Sequence, residues 1–120
     1  MNEIAERAKA KLLFICTANI NRSRAAEDLF ANSSRYEARS AGIIEHKVGG
    51  QVVRQELIDW ADRVFVMDET NDRHLTRLRA GFDVQNKDVV VLDIPDVFDR
   101  RDPVLSSTLK DKLAVCGIEI

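Results

Sequence analysis

"LLFICTANINRSRAAEDLF", Leu12 to Phe30, changes character twice within nineteen positions. Five residues from Leu12 to Cys16 are apolar, which fits a short strand buried on both faces. Polar residues follow as far as Arg22 and Ser23, and a helical pattern then sets Ala26, Leu29 and Phe30 on one side. A strand, a tight loop and a helix are the opening unit of an α/β fold. In open α/β sheets, ligands sit beyond the carboxyl ends of the strands, where Cys16 falls.

Three further short apolar runs have the same compactness: Tyr36 to Ser40, Val64 to Met67, and Val89 to Leu92. The runs at Leu12, Val64 and Val89 are expected to be buried on both faces. Helical patterns lie between the runs, over residues 23 to 32, over 50 to 60 with Val53, Leu57 and Trp60 on one face, and over 69 to 81 with Gly81 as C-cap. A last helix opens at Pro103 and ends near Gly117, and residues 2 to 10 form a short leading helix. Strands alternating with helices predict an α/β domain with a mostly parallel sheet, continuous over residues 1–120.

The polar loop CTANINR has a definite chemistry. A loop from strand to helix can curl so that the backbone N–H groups of Thr17, Ala18, Asn19, Ile20 and Asn21 point inward as an anion nest. Arg22 at its end can fork onto two oxygens of a bound phosphate. The same field favours the thiolate form of Cys16, placed for in-line attack on phosphorus. Ser23 can donate its hydroxyl to the sulfur, and Asn19 tolerates the left-handed backbone such a loop needs.

Cleaving a phosphate monoester also needs a proton for the departing oxygen. The fourth run leads into IPDVFDRRDP, which holds Asp93, Asp96, Asp99 and Asp102. Asp96 follows Pro95 and precedes Val97 and Phe98, two apolar residues expected to pin the loop and partly bury the acid. It is the candidate general acid. Asp99 and Asp102, beside Arg100 and Arg101, read as surface ion pairs, and His74 reads as a surface histidine.

These segments together resemble the low-molecular-weight protein tyrosine phosphatases. The loop "ICTANINRSR" follows that family's V-C-x-G-N-I-C-R-S-P pattern, "RSAG" at 39–42 its Ser-Ala-Gly, and "ADRVFVMDETN" at 61–71 its Met-Asp run. Asp96, Val97 and Phe98 stand where the family has Asp-Pro-Tyr. The resemblance implies a three-layer domain, a four-stranded parallel sheet of order 2-1-3-4 with helices on both faces, needing neither metal nor organic cofactor. It implies Cys16 as nucleophile, Arg22 as phosphate clamp, Asp96 as acid, Asn19 and Ser23 as loop and thiolate supports, and Ser40 as the partner behind Asn19. His46 and Phe98 are its expected substrate walls. The chain departs from the pattern at Ala18 for glycine, Asn21 for cysteine and Arg24 for proline.

The implied reaction is hydrolysis of a phosphorylated protein or small aryl phosphate through a phosphocysteine. The alternatives are a module that binds oxyanions or phosphopeptides without turnover, and a thiol-dependent arsenate reductase. The last needs relay cysteines, and only Cys116 accompanies Cys16 among the 120 residues. A net charge of −2 gives no general attraction to nucleic acid or anionic membrane. The start of the chain lacks an apolar signal core, so a cytoplasmic monomer is expected.

Overall fold

A computed structural model describes residues 9–45 and 50–120. The strands are β1 (Ala10–Cys16), β2 (Tyr36–Gly42), β3 (Arg63–Val66) and β4 (Asp88–Val91), all parallel, in the order β2-β1-β3-β4. The helices are α1 (Arg22–Asp28), α2 (Gln55–Trp60), α3 (His74–Gly81) and α4 (Pro103–Val115). The expected leading helix lies outside the described residues, apart from positions 9 and 10, where Ala10 opens β1.

Alternation along β1 and β3 splits the apolar residues between two layers. Leu12, Phe14, Cys16, Phe65 and Met67 face one cluster, which α1 and α4 cover with Ala26, Leu105, Leu109 and Leu113. Leu13, Ile15, Val64 and Val66 face the other, covered by Leu57 and Ile58 of α2 and Leu78 of α3. Phe14 is central to the first layer, its ring 5.3 Å from that of Phe65 and 5.8 Å from that of Phe30. Each such fully buried side chain contributes roughly 1.5–3 kcal/mol. β4 departs from expectation: it is the sheet edge, and its three valines are only half-buried.

Two helices start later than the periodicity indicates. Residues 51 to 53 instead run alongside the end of β2 in an isolated parallel bridge, where Gly42 N–H donates to Gln51 O at 2.7 Å and Val53 N–H to Gly42 O at 2.9 Å. Residues 69 to 73 form a turn closed by the Asp68 carboxylate, which accepts from the N–H groups of Asn71 and Asp72 at 2.8 and 2.6 Å. Helix α3 therefore begins at His74, and Gly81 is its last residue rather than its cap. Helix α4 starts as the sequence indicates, with Pro103 in its first turn and the Asp102 carboxylate accepting from Val104 N–H at 2.8 Å. Asp102 is thus a cap, and Arg100 pairs across to Asp28 at 2.7 Å rather than with its neighbours. The expected local ion pairs are corrected on both counts.

Gly42, at the carboxyl end of β2, backs directly onto the loop after β1. A Cβ there would lie 2.7 Å from the Ala18 carbonyl carbon and 2.8 Å from Asn19 N, both backbone atoms. Gly42→Ala is predicted to displace that loop and to cost about 1–3 kcal/mol, the range for overpacking. Denaturant unfolding checks it, and an unchanged stability would show that the loop has room to shift.

Candidate functional site

The parallel sheet gathers four chain segments at the carboxyl edge: the loop 17–21 after β1, Gly42 after β2, the turn 68–73 after β3 and the segment 92–98 after β4. Met67 N–H donates to Ile15 O at 3.0 Å and Ile94 N–H to Met67 O at 2.7 Å, so the sheet pattern runs on into these connections.

The loop 17–21 is built around Asn19, which has φ 56 and is buried. Its side-chain amide Nδ2 donates to Ser23 Oγ at 2.8 Å and to Ser40 Oγ at 2.9 Å, while Oδ1 accepts from Gln51 N–H at 2.8 Å. Ser40 in turn donates to the Glu27 carboxylate. One amide thereby fastens the loop to α1, β2 and the segment bridged to the end of β2. Among the described residues, no acceptor takes the backbone N–H of Thr17, Ala18, Asn19, Ile20 or Asn21. Such a row of unclaimed donors is what an anion nest requires.

Cys16 is buried, its Sγ 3.0 Å from Ser23 Oγ. Ser23 Oγ already accepts from Asn19, which leaves the serine's own proton to point at the sulfur. Arg22 is the largest fully buried side chain. Its Nη1 donates to Ile94 O at 2.9 Å, its Nη2 lies 2.9 Å from the Asp72 carboxylate, and its Nε is 3.7 Å from Asp96 Oδ1. Asp96 thus stands over the same guanidinium. It is exposed, at 59% of its side-chain surface, so the expected shelter by Phe98 is absent. Phe98 packs against the apolar core, and Val97 points outward with 74% exposure. Phe98, expected as a substrate wall, is half-buried and has its ring against the core. His46, the other expected wall, lies outside the described residues. Asn21 Oδ1 accepts from Arg100 N–H at 3.1 Å, tying the end of the loop to the segment beyond Asp96.

Two neighbours of these residues escape a sequence reading. Asp72 holds Arg22, and His74 is fully buried rather than on the surface. His74 Nδ1 accepts from Asp68 N–H at 3.0 Å, and its Nε2 lies 2.9 Å from Thr17 Oγ1. Burial above all, with help from the Arg22 and Arg77 guanidiniums, pushes His74 down from 6.5 to about 4, against the pull of Asp72 and Asp68. For Asp68, burial raises the carboxyl, but the N–H groups of Asp72 and Asn71 outweigh it and the net shift is downward. His74 shares a face with Leu78, four residues on, and that register was the available signal. Among the described residues, no group of three or more His, Cys, Asp or Glu is placed to hold a metal ion.

A family model described as low molecular weight phosphotyrosine protein phosphatase matches residues 11–92. The chain belongs to this family. The match ends at Leu92, four residues before Asp96. Solved structures similar to this phosphatase-family chain include YfkJ from Bacillus subtilis, at 22% identity and a TM-score of 0.62 over 92% of this chain and 95% of that one. The low molecular weight phosphotyrosine phosphatase VcLMWPTP-2 from Vibrio cholerae O395 aligns at 20% identity and a TM-score of 0.69, over 90% and 96%. A thioredoxin-dependent arsenate reductase from Corynebacterium glutamicum aligns at 18% and 0.61, over 95% of this chain and 65% of that one. These likenesses show the fold. No curated protein sequence matches the chain.

The buried neutral imidazole sets a pH dependence for the fold. A histidine whose folded value is depressed binds its proton more readily when unfolded, so stability rises with pH between those two values. Between pH 6.5 and about 4, acidification is predicted to remove roughly 3 kcal/mol of stability through His74. The Asp68 contribution is lost only below its ordinary 3.8, outside that window. Urea unfolding at stepped pH checks it. His74→Gln should flatten the slope, and an unchanged slope in that variant would assign it to other groups.

Proposed function

We propose that the chain hydrolyses phosphate monoesters, an aryl phosphate or phosphotyrosine, through a phosphocysteine on Cys16. The observation that carries this reading is the unclaimed row of backbone N–H groups at 17–21, running from the sulfur of Cys16 to the buried guanidinium of Arg22. Three oxygens of a phosphate dianion match such donors, and a planar fork matches two of them.

In the first step the Cys16 thiolate attacks phosphorus and the bond to the leaving oxygen breaks. Asp96 gives its proton to that oxygen. Backbone N–H groups and Arg22 bear the charge spread over the equatorial oxygens, which is the main catalytic contribution in phosphoryl transfer. In the second step water attacks the phosphocysteine and gives a proton to the Asp96 carboxylate. The S–P bond breaks, and the Ser23 hydroxyl supports the thiolate as it leaves. No metal or organic cofactor enters either step.

Arg22 reaches this task with Asp72 and Asp96 already beside it. Both carboxylates neutralise the buried cation when the cradle is empty, and an arriving dianion must share the guanidinium with them. A protonated Asp96 eases that competition, which fits its role as acid.

Disulfide-relay arsenate reduction has little support from the sulfur geometry. Cys116 is at the other end of the sheet, where its carbonyl accepts from Arg63 Nη1 at 3.0 Å. Arg63 pairs with Leu12, four residues before Cys16 and about 13 Å away along the strand. Oxyanion binding without turnover has one observation in its favour: Asp96 is exposed, and its only polar neighbour among the described residues is Arg22.

The acid assignment separates these readings. Asp96→Asn is predicted to slow phenyl phosphate hydrolysis by about 10²–10⁴-fold and to matter far less for a substrate whose leaving group is already stable as an anion. Asp93 is the control: its φ of 57 is one that asparagine also adopts, so Asp93→Asn should affect both substrates alike. A leaving-group-dependent loss at Asp93 and not Asp96 would reassign the acid. Negligible turnover by the parent protein on both substrates would favour the binding module.

A further inference from the structure

Two hydroxyls flank the loop, and each has a partner that decides which way its proton points. Asn19 does this for Ser23, whose proton is left for Cys16. The second hydroxyl is Thr17, the first residue after the cysteine, and its partner is His74. The tautomer of His74 follows from the backbone. Asp68 N–H, which cannot move its proton, donates to Nδ1 at 3.0 Å, so the proton of the neutral ring is on Nε2. Nε2–H therefore donates to Thr17 Oγ1, 2.9 Å away. Arg22 Nη2 approaches the same oxygen at 3.5 Å, also as a donor. With two donors on its oxygen, Thr17 keeps its own O–H proton for an acceptor, and none is found among the described residues.

We propose that His74 and Thr17 form a donor relay for the bound oxyanion: the imidazole fixes the Thr17 hydroxyl so that its proton faces the oxygen gripped by Arg22. The relay rests on the cradle at 17–21 binding an oxyanion. Two observations direct the proton to the anion rather than to the sulfur. Ser23 already serves Cys16, and Thr17 Oγ1 lies beside the guanidinium of Arg22. The hydroxyl adds a side-chain donor to a cradle otherwise made of backbone N–H groups and one arginine. His74 acts through Thr17 and is a positioning residue. A buried, neutral ring suits this task, because a charged imidazolium would set a second donor against Asp68 N–H.

Phosphate binding, measured by calorimetry on the full chain, tests the relay without depending on turnover. Thr17→Val keeps the shape of the side chain and removes the proton; it is expected to weaken inorganic phosphate binding about 10- to 100-fold, the value of one hydrogen bond to a charged group. Thr17→Ser should restore most of it. His74→Asn retains an acceptor where Nδ1 sits, so the Asp68 bond survives, but the shorter side chain cannot reach Thr17. It should weaken binding by a similar factor, and Thr17→Val/His74→Asn should bind no worse than Thr17→Val alone. Wild-type affinity in Thr17→Val, or in His74→Asn, overturns the relay, as does a double variant whose losses simply multiply. Thr17-dependent binding in a protein without phosphatase turnover would refute the proposed reaction and keep the relay. Turnover with Thr17-independent binding would do the reverse. A parent protein that binds no phosphate overturns both.

Discussion

A guanidinium with almost no exposed surface joins the loop after β1 to the connections that follow β3 and β4. An unpaired charge in that position would cost several kcal/mol, so the surroundings of Arg22 are constrained to supply acceptors. They come from two connections: the Ile94 carbonyl and the Asp96 carboxylate from the segment after β4, and the Asp72 carboxylate from the turn after β3. The arginine therefore ties together the loops around it. Its position is fixed by the first turn of α1, whose start is in turn fixed by Asn19 and the short loop back to Cys16.

The sheet makes this possible. Because all four strands run the same way, their connections emerge together, and residues far apart in sequence converge on one edge. Cys16, Ser40, Asp68 and Asp96 are brought close by topology rather than by local spacing. The two apolar layers hold β1 and β3 in the middle, and the site hangs from the ends of those two most buried strands. Rigid strands behind a loop of unclaimed donors form a preorganised arrangement, in which donors need little rearrangement when charge develops.

What was legible in the sequence divides along physical lines. The parallel sheet and its order followed from compact apolar runs and the family landmarks, and Cys16, Asn19, Arg22 and Ser23 were readable because one strand-loop-helix unit carries all four. Asn19 adopts the left-handed backbone expected of it, and Ser40 bonds to it as the resemblance implied. Asp72 and His74 were hidden because their roles depend on a turn that reverses the chain after β3. The charged stretch NDRHLTRLR resembles a solvated face, and only the His74–Leu78 register betrays the buried ring. The late starts of α2 and α3 were misread for a related reason. Helical periodicity continued into segments whose backbone hydrogen bonds are claimed by β2 and by Asp68.

The central claim is that Cys16 takes the phosphoryl group. Rapid acid quench during turnover of an aryl phosphate, followed by mass analysis of the peptides, tests it most directly. One phosphoryl group on the Cys16 peptide, appearing on the time scale of turnover and lost on further incubation, is the predicted result. Sustained turnover with the Cys16 peptide unmodified throughout, or a phosphoryl group on another residue, would contradict the account.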